Sequence, residues 1–209
     1  MSMKNLPLPE WERVLSSAAR VQELVDLIPR FDEVLAQLES VAGWKTARVR
    51  RPVQILGSLD GIETGVRQLI REKPLETVQV STGGQIIVVP THEEILRIKA
   101  VLILKRNATR DYIDFSALAD AMGDEGLWSA LKSFDELYEQ TAGDSPLQQL
   151  QIQLSNPLPF DLEETNLSEY KDLDERWANW GALEEVCKRA ARVVFAGLAA
   201  ARRERMGGA

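Results

Sequence analysis

Apolar residues recur at two different spacings in the first half of the chain. They return every three or four positions from Val14 to Ile28 and again from Phe31 to Val41, which predicts two helices joined by a kink at Pro29. From Thr46 to Leu56 the apolar positions alternate with arginine and glutamine, a pattern that is typical of a β-strand. We expect this to be the first strand of the sheet, with no strand before Thr46, and we therefore predict that the sheet is small.

Two glycine-containing turn signals follow. Asp60-Gly61 predicts a tight hairpin whose returning strand covers Ile62 to Ile70. Gly83-Gly84 predicts a second hairpin between Glu76 and Val89. A small mixed or antiparallel sheet is therefore expected in the first part of the chain.

Everything after Pro90 is typical of helices. Thr91 and Glu94 form a Thr-x-x-Glu capping box ahead of an apolar stretch, and this helix is predicted to end near Arg106. Further helices are predicted at Arg110–Met122 after a Thr109 cap and before Gly123, at Leu127–Tyr138, at Pro146–Leu154, and from about Ser168, with Cys187 on the apolar face. The fold class is thus α+β, with a sheet-bearing part at 1–90 and a helical part at 91–209.

Composition narrows the classes of protein. The hydrophobic fraction of 44% suits a globular core, and the chain has neither an apolar run of membrane-spanning length nor the start of a signal peptide. One cysteine fits a reducing compartment, so we expect a cytoplasmic protein without membrane partners. The net charge of −7 argues against a protein that binds nucleic acid over its whole surface, and it leaves a local basic patch open. One histidine and one cysteine disfavour a zinc-type site, whereas magnesium, which binds carboxylates, remains compatible.

Lys99 is the most informative single residue. Its neighbours three and four positions away on the predicted helix are all apolar, so its ammonium needs either a partner or a route to solvent. We predict that the ammonium lies within ion-pair reach of Asp111, Asp114 or Glu63. The alternative is a lysine whose stem covers the edge of the core while its charge reaches water.

The segment from Lys105 to Asp114 is dense in charge. Asp111 and Asp114 are three positions apart and share one face of the predicted helix. A structural role is open for each of them. The carboxylate of Asp111 lies in the first turn of the predicted helix, where the helix dipole favours a negative charge. Arg110 and Asp114 are four positions apart, which is the spacing of a surface ion pair.

This segment resembles a block of a known family. Lys99, followed by Arg106-Asn107-x-x-Arg110-Asp111-x-x-Asp114, resembles the lysine…arginine…Arg-Asp-x-x-Asp block of AbiEii-type nucleotidyltransferase toxins, which belong to the polymerase-β-like nucleotidyltransferases. The stretches Leu56–Leu69, Leu167–Lys171 and Trp177-x-x-Trp180 are similar to a branch of that family. The resemblance covers most of the chain after Phe31.

The resemblance implies an activity and its partners. It implies transfer of a nucleoside monophosphate from a triphosphate to a hydroxyl of RNA or protein, with Mg²⁺, in a bacterial toxin–antitoxin or phage-defence pair that includes a cognate antitoxin. It implies catalytic roles for Asp111, Asp114 and Glu63, metal binding by Glu63 and Asp111, and substrate binding by Lys99, Arg106, Arg110 and Arg67.

One motif of the family is missing. A glycine turn followed by Asp-x-Asp is expected ahead of the Phe31 helix, where this chain has only Asp26-Leu27-Ile28-Pro29. We therefore expect weak or undetectable transfer. Two alternatives stay open: a catalytically degenerate relative that binds a nucleotide or a protein, and a helical interaction protein in which Lys99 has no chemical role.

Overall fold

The computed structural model describes residues 20–25, 27–68, 71, 73–82, 85–140, 143–170 and 173–207. The described residues before Lys73 form one compact unit, and those from Lys73 onward form another. All described strands lie in the first half of the chain, and every α-helix except Phe31–Ser40 begins after them, so the α+β class is confirmed. The change from strand to helix falls at Pro90, as predicted, while the second hairpin belongs to the same compact unit as the helices.

The first unit contains a four-stranded sheet. Its spatial order is β1-β4-β3-β2, with the strands at Arg20–Val25, Trp44–Arg50, Gln54–Leu59 and Ile62–Gln68 in chain order. β1 runs parallel to β4, and the other neighbouring pairs are antiparallel. Helix α1, Phe31–Ser40, contributes the predicted apolar stripe to a small core, which is formed by Leu27, Phe31, Ile55 and Val66 with Val34, Leu35, Leu38 and Trp44.

The predicted helix from Val14 to Ile28 is wrong where the structure describes it. Residues Arg20–Val25 form β1, and the sheet therefore begins earlier than Thr46. Six residues with apolar positions at 21, 24 and 25 satisfy a helical spacing, but pairing with β4 satisfies their backbone groups instead. The expected kink at Pro29 is a short 3₁₀ turn, Ile28–Arg30. Val14 to Ala19 lie outside the described residues.

The predicted single strand from Thr46 to Leu56 is also wrong. It is two antiparallel strands, β2 and β3, which reverse direction at Arg51–Val53 through a cis Arg51–Pro52 peptide. Proline cannot donate to a strand ladder, so Pro52 is better placed in the turn. The Asp60-Gly61 hairpin is confirmed, because both residues have positive φ and Leu59 pairs with Ile62.

The second unit begins with an antiparallel hairpin and continues as helices. β5 is Thr77–Thr82 and β6 is Gln85–Pro90, and their antiparallel pairing confirms the predicted second hairpin. The helices are α2 His92–Arg106, α3 Thr109–Leu131, α4 Phe134–Leu137, α5 Pro146–Ser155 and α6 Trp180–Gly207. Their largest fully buried side chains are Tyr112, Phe115, Phe134, Leu96, Ile103, Leu127, Leu131, Leu147, Leu150 and Leu154.

The helix boundaries follow from their caps. The side chain of Thr91 accepts a hydrogen bond from the Glu94 amide, which confirms the predicted cap of α2. The predicted Thr109 cap is wrong, because Thr109 is the first residue of α3 and Asp161 binds its amide and hydroxyl. Gly123 interrupts α3 with φ +65°, close to the predicted end. The last helix begins at Trp180 rather than near Ser168.

One close helix contact gives a stability prediction. A Cβ atom on Gly197 of α6 would lie 2.4 Å from ring carbons of Trp128 on α3. Replacement of a helical glycine by alanine normally stabilises, but here the methyl group overpacks the contact, so we expect Gly197→Ala to lower the unfolding free energy by about 1–3 kcal/mol. Gly207→Ala is the control, because nothing lies near its Cβ position. Urea denaturation measures both, and a stabilised Gly197→Ala would contradict the contact.

Candidate functional site

The charged block lies where α2 turns into α3. The chain reverses between these helices through Asn107 and Ala108 alone, and Asn107 adopts the left-handed conformation with φ +46° and ψ +41°. Asparagine tolerates this conformation better than most residues. The short connection brings residues from the last turns of α2 close to residues from the first turns of α3.

Lys99 forms an ion pair across this junction. Its Nζ lies 2.5 Å from Oδ2 of Asp114, so the prediction that it reaches a carboxylate is confirmed. The lysine side chain is 23% exposed and the aspartate 48%, which leaves the pair in contact with water. The contribution of such a pair to stability is small because solvent screens it.

Arg106 and Asp111 form a much more enclosed pair. Arg106 Nε donates to Asp111 Oδ2 at 2.5 Å, and Nη2 donates to Oδ1 at 2.6 Å. Asp111 is fully buried, and its hydrogen bond raises the pKa of Arg106. Both carboxylate oxygens are therefore held by one guanidinium, the two-point geometry in which arginine binds carboxylates most strongly.

A polar cluster continues this junction towards α5. Tyr112 donates its hydroxyl proton to Oδ1 of Asn107 at 2.6 Å, and Gln153 Nε2 donates to the same oxygen at 2.9 Å. Burial raises the pKa of Tyr112 to about 12. The Tyr112 ring also meets the edge of Trp180, with centroids 5.9 Å apart. These contacts connect α3, α5 and the start of α6.

The same junction holds the loop that follows α5. Asn107 Nδ2 donates to the carbonyl oxygen of Leu158 at 2.7 Å, and the Phe160 amide donates to the carbonyl oxygen of Asn107 at 3.0 Å. The carboxylate of Asp161 accepts from both the amide and the hydroxyl of Thr109, each at 2.7 Å. Although its burial acts in the opposite direction, the hydrogen bonds from Thr109 lower the pKa of Asp161.

The remaining predicted site residues are members of neither pair. Arg110 is an exposed residue in the first turn of α3. Glu63 and Arg67 are on β4 of the first unit, where their register partners on β3 are Ser58 and Gln54. The second unit therefore brings together Lys99 with Asp114 and Arg106 with Asp111. The catalytic, metal-binding and substrate-binding roles given to all seven residues stay predictions without a direct test.

A buried charged cluster elsewhere in the second unit was missed by the sequence analysis. Arg97 and Glu94 are both buried on α2, and Arg97 Nη2 lies 3.0 Å from Glu94 Oε2 and 2.5 Å from Glu76 Oε2. The Glu76 amide donates to Glu94, and Arg97 also donates to the carbonyl oxygen of Ala130. The three-residue spacing of Glu94 and Arg97 was a usable signal, but it was not interpreted as an ion pair.

A metal centre would need several ligating side chains that converge on one point. Among the described residues, no group of three or more His, Cys, Asp or Glu side chains is arranged to hold a metal ion. The Mg²⁺ expectation stays a prediction.

No described helix is both long and apolar enough to cross a membrane. The cytoplasmic location likewise stays a prediction.

The two aspartates of the junction give a matched stability test. Asp111→Ala leaves the Arg106 guanidinium without its buried partner, and we expect the unfolding free energy to fall by about 3 kcal/mol. Asp114→Ala removes only a solvent-exposed pair and should cost less than about 1 kcal/mol. Chemical denaturation of both variants measures the difference. Equal losses would show that burial of Asp111 does not distinguish the two sites.

Cys187 gives a chemical test of the core. The thiol is fully buried on α6, 3.5 Å from the hydroxyl of Ser116, and burial raises its pKa to about 11. Because only the thiolate alkylates readily, native protein at pH 8 should react with iodoacetamide at least roughly 100-fold more slowly than urea-unfolded protein. Mass spectrometry follows the reaction. Comparable rates in both states would place the thiol in contact with solvent.

Comparison with known proteins finds similarity to transport proteins. The chain is 34% identical over 135 residues to the heme uptake protein MmpL11 of Mycobacterium tuberculosis strain H37Rv and to the probable transport protein MmpL11 of Mycobacterium bovis, which covers 63% of this chain and 13% of each relative. It is 35% identical over 114 residues to the mycolic acid-containing lipids exporter MmpL11 of Mycolicibacterium smegmatis, or 51% of this chain and 11% of the relative. No protein-family model and no solved structure matches the chain.

These relatives overturn the toxin-family interpretation. The recognition as an AbiEii-type nucleotidyltransferase is wrong, as are the nucleotidyl-transfer activity, the degenerate-relative alternative and the assignment to toxin–antitoxin or phage defence. The expected partners, a nucleoside triphosphate, RNA and an antitoxin with no membrane, are wrong on the same finding, because the names of the relatives describe transport, uptake and export. The similar segment spans only about an eighth of these relatives.

Proposed function

We propose that this chain takes part in transport, as the counterpart of the matched segment of an MmpL11-like transport protein. The observation that carries this proposal is the 34% identity over 135 residues. That length exceeds the part of the chain that precedes Lys73, so the similarity necessarily includes part of the helical unit that begins there. The activities in the names of the relatives belong to proteins several times longer than this chain.

The geometry of the junction supports a binding or assembly role within transport. Acid–base chemistry needs side chains that can exchange protons with a bound substrate. At the α2–α3 junction, both oxygens of Asp111 are held by Arg106, and Lys99 is paired with Asp114. Because these side chains are already paired, they hold α2 and α3 in fixed positions. A fixed arrangement of helices is what a stable interaction surface requires.

The residues that line the described cavity indicate whether it could bind heme iron. The cavity lies between α5 and α6, measures about 340 Å³, and is lined by Gln151, Ser155, Lys188, Ala191, Arg192 and Phe195. Heme iron is usually held by histidine, cysteine, methionine or tyrosine, and none of these residue types lines this cavity. We therefore propose that this cavity does not bind heme iron. In this proposal the chain assists transport without carrying heme in the cavity.

Gene deletion in the organism that encodes the chain tests the proposal. We expect the deletion to reduce growth on heme as the only iron source or to change the profile of exported lipids, because the relatives are named for these two activities. Wild-type chain supplied in trans should restore the phenotype. Unchanged heme-dependent growth together with an unchanged lipid profile would overturn the proposal.

A matched pair of variants separates a structural from a chemical role of the junction. Asp114→Ala keeps the buried Arg106–Asp111 pair and should restore the deletion strain fully. Asp111→Ala should restore it only in proportion to its lowered protein level, which immunoblotting measures. Failure of Asp114→Ala at a normal protein level would show that the carboxylate itself takes part in the function.

A further inference from the structure

The loop after α5 displays two large apolar side chains to solvent. Leu158 is 63% exposed and Phe160 is 73% exposed, whereas the neighbouring prolines, Pro157 and Pro159, are buried. The alternation sends the prolines towards the protein and the two large side chains outwards. Exposed large apolar side chains that lie close together are typical of an interaction site.

This loop is held in a fixed conformation by the α2–α3 junction. Asn107 binds the backbone on both sides of Pro159, through the carbonyl oxygen of Leu158 and the amide of Phe160. Asp161 is held by Thr109 at the next position. Because the backbone is already ordered, docking of Leu158 and Phe160 costs little further conformational entropy.

The cavity between α5 and α6 has the complementary chemistry. Phe195 is 63% exposed and forms an apolar wall, and Arg192 is an exposed cation without an ion-pair partner among the described residues. Lys188 adds a second positive charge, although Glu184 already lies 2.7 Å from its Nζ. The cavity of about 340 Å³ is open to solvent, so an aromatic side chain that entered it would displace water.

The charges of the loop are opposite to those of the cavity. Glu163 and Glu164 follow Phe160 closely, and both are exposed without an ion-pair partner among the described residues. A segment with an aromatic anchor followed by acids matches a cavity with an aromatic wall and a free arginine. Both surfaces belong to the second unit, so the match does not depend on the first unit.

We propose that the loop of one copy of this chain docks into the α5–α6 cavity of a second copy. The hydrogen bonds of Asn107 and Thr109 hold the loop in place, which keeps it out of the cavity of its own chain. Ser155 lines the cavity and is only five residues from Phe160, at most about 18 Å along the chain, so loop and cavity are adjacent. A twofold axis then forms two reciprocal contacts in a closed dimer.

Sedimentation velocity of the full chain over a concentration series tests the dimer. We expect a reversible dimer whose dissociation constant rises at least about tenfold in Phe160→Ala and in Phe195→Glu, since aromatic anchors dominate such contacts. Met206→Ala is the matched control, because Met206 is also 73% exposed and lies outside the cavity lining. All three side chains are exposed, so circular dichroism should show unchanged folding.

Mixing the variants provides the sharper measurement. Phe160→Ala keeps its cavity and Phe195→Glu keeps its loop, so a mixed dimer has one intact contact whereas each variant alone has none. We expect a fluorescently tagged Phe160→Ala chain to sediment as a dimer only when Phe195→Glu is added. A wild-type monomer at all concentrations, which would indicate a different partner for the loop, overturns the proposal. A dimer that both variants leave intact, or no mixed dimer, overturns it as well.

Discussion

A carboxylate buried without access to water sets the geometry of the helical unit. Both oxygens of the buried Asp111 carboxylate accept hydrogen bonds from Arg106, which lies on the preceding helix, five residues earlier in the chain. That pairing requires the connection between α2 and α3 to be short, and Asn107 makes the reversal in a left-handed conformation. The same asparagine then binds Tyr112, Gln153 and the loop after α5. The Arg106–Asp111 pair and the adjacent Asn107 thus hold α2, α3, α5 and the loop after α5 in position relative to one another.

This arrangement explains why the sequence suggested a different function. The spacing of Lys99, Arg106, Arg110, Asp111 and Asp114 was attributed to triphosphate chemistry. The structure shows that most of these residues pair with each other across a tight helical connection. The ion pairs across the short α2–α3 connection are enough to explain why these charged residues have this spacing. The same spacing is therefore compatible with more than one function. The similarity to MmpL11 transport proteins is an identity of 34% spread over 135 residues.

The sequence predicted the elements whose signals are local. The Asp60-Gly61 hairpin, the Thr91 cap, the break at Gly123 and the apolar face around Cys187 each depend on residues within a few positions of each other. The strand β1 was missed because its six residues fit either periodicity, and only pairing with β4 decides between them. The cap of α3 was misplaced because Asp161 supplies it from 52 positions away. Of the candidate site, the Lys99 ion pair was predictable, whereas the burial of Asp111 and the Glu94–Arg97 pair depend on tertiary packing.

The β5–β6 hairpin illustrates how one ion-pair cluster can determine local unfolding. Two strands alone have little stability in water, so this hairpin depends on its attachment to α2. Glu76, the residue before β5, provides that attachment through Glu94, Arg97 and the amide of Thr91. We therefore expect the hairpin and the first turns of α2 to open together. Its opening would release a strand in which Ile86 and Val88 are already exposed, so the buried Arg97 also restrains the chain from intermolecular strand pairing.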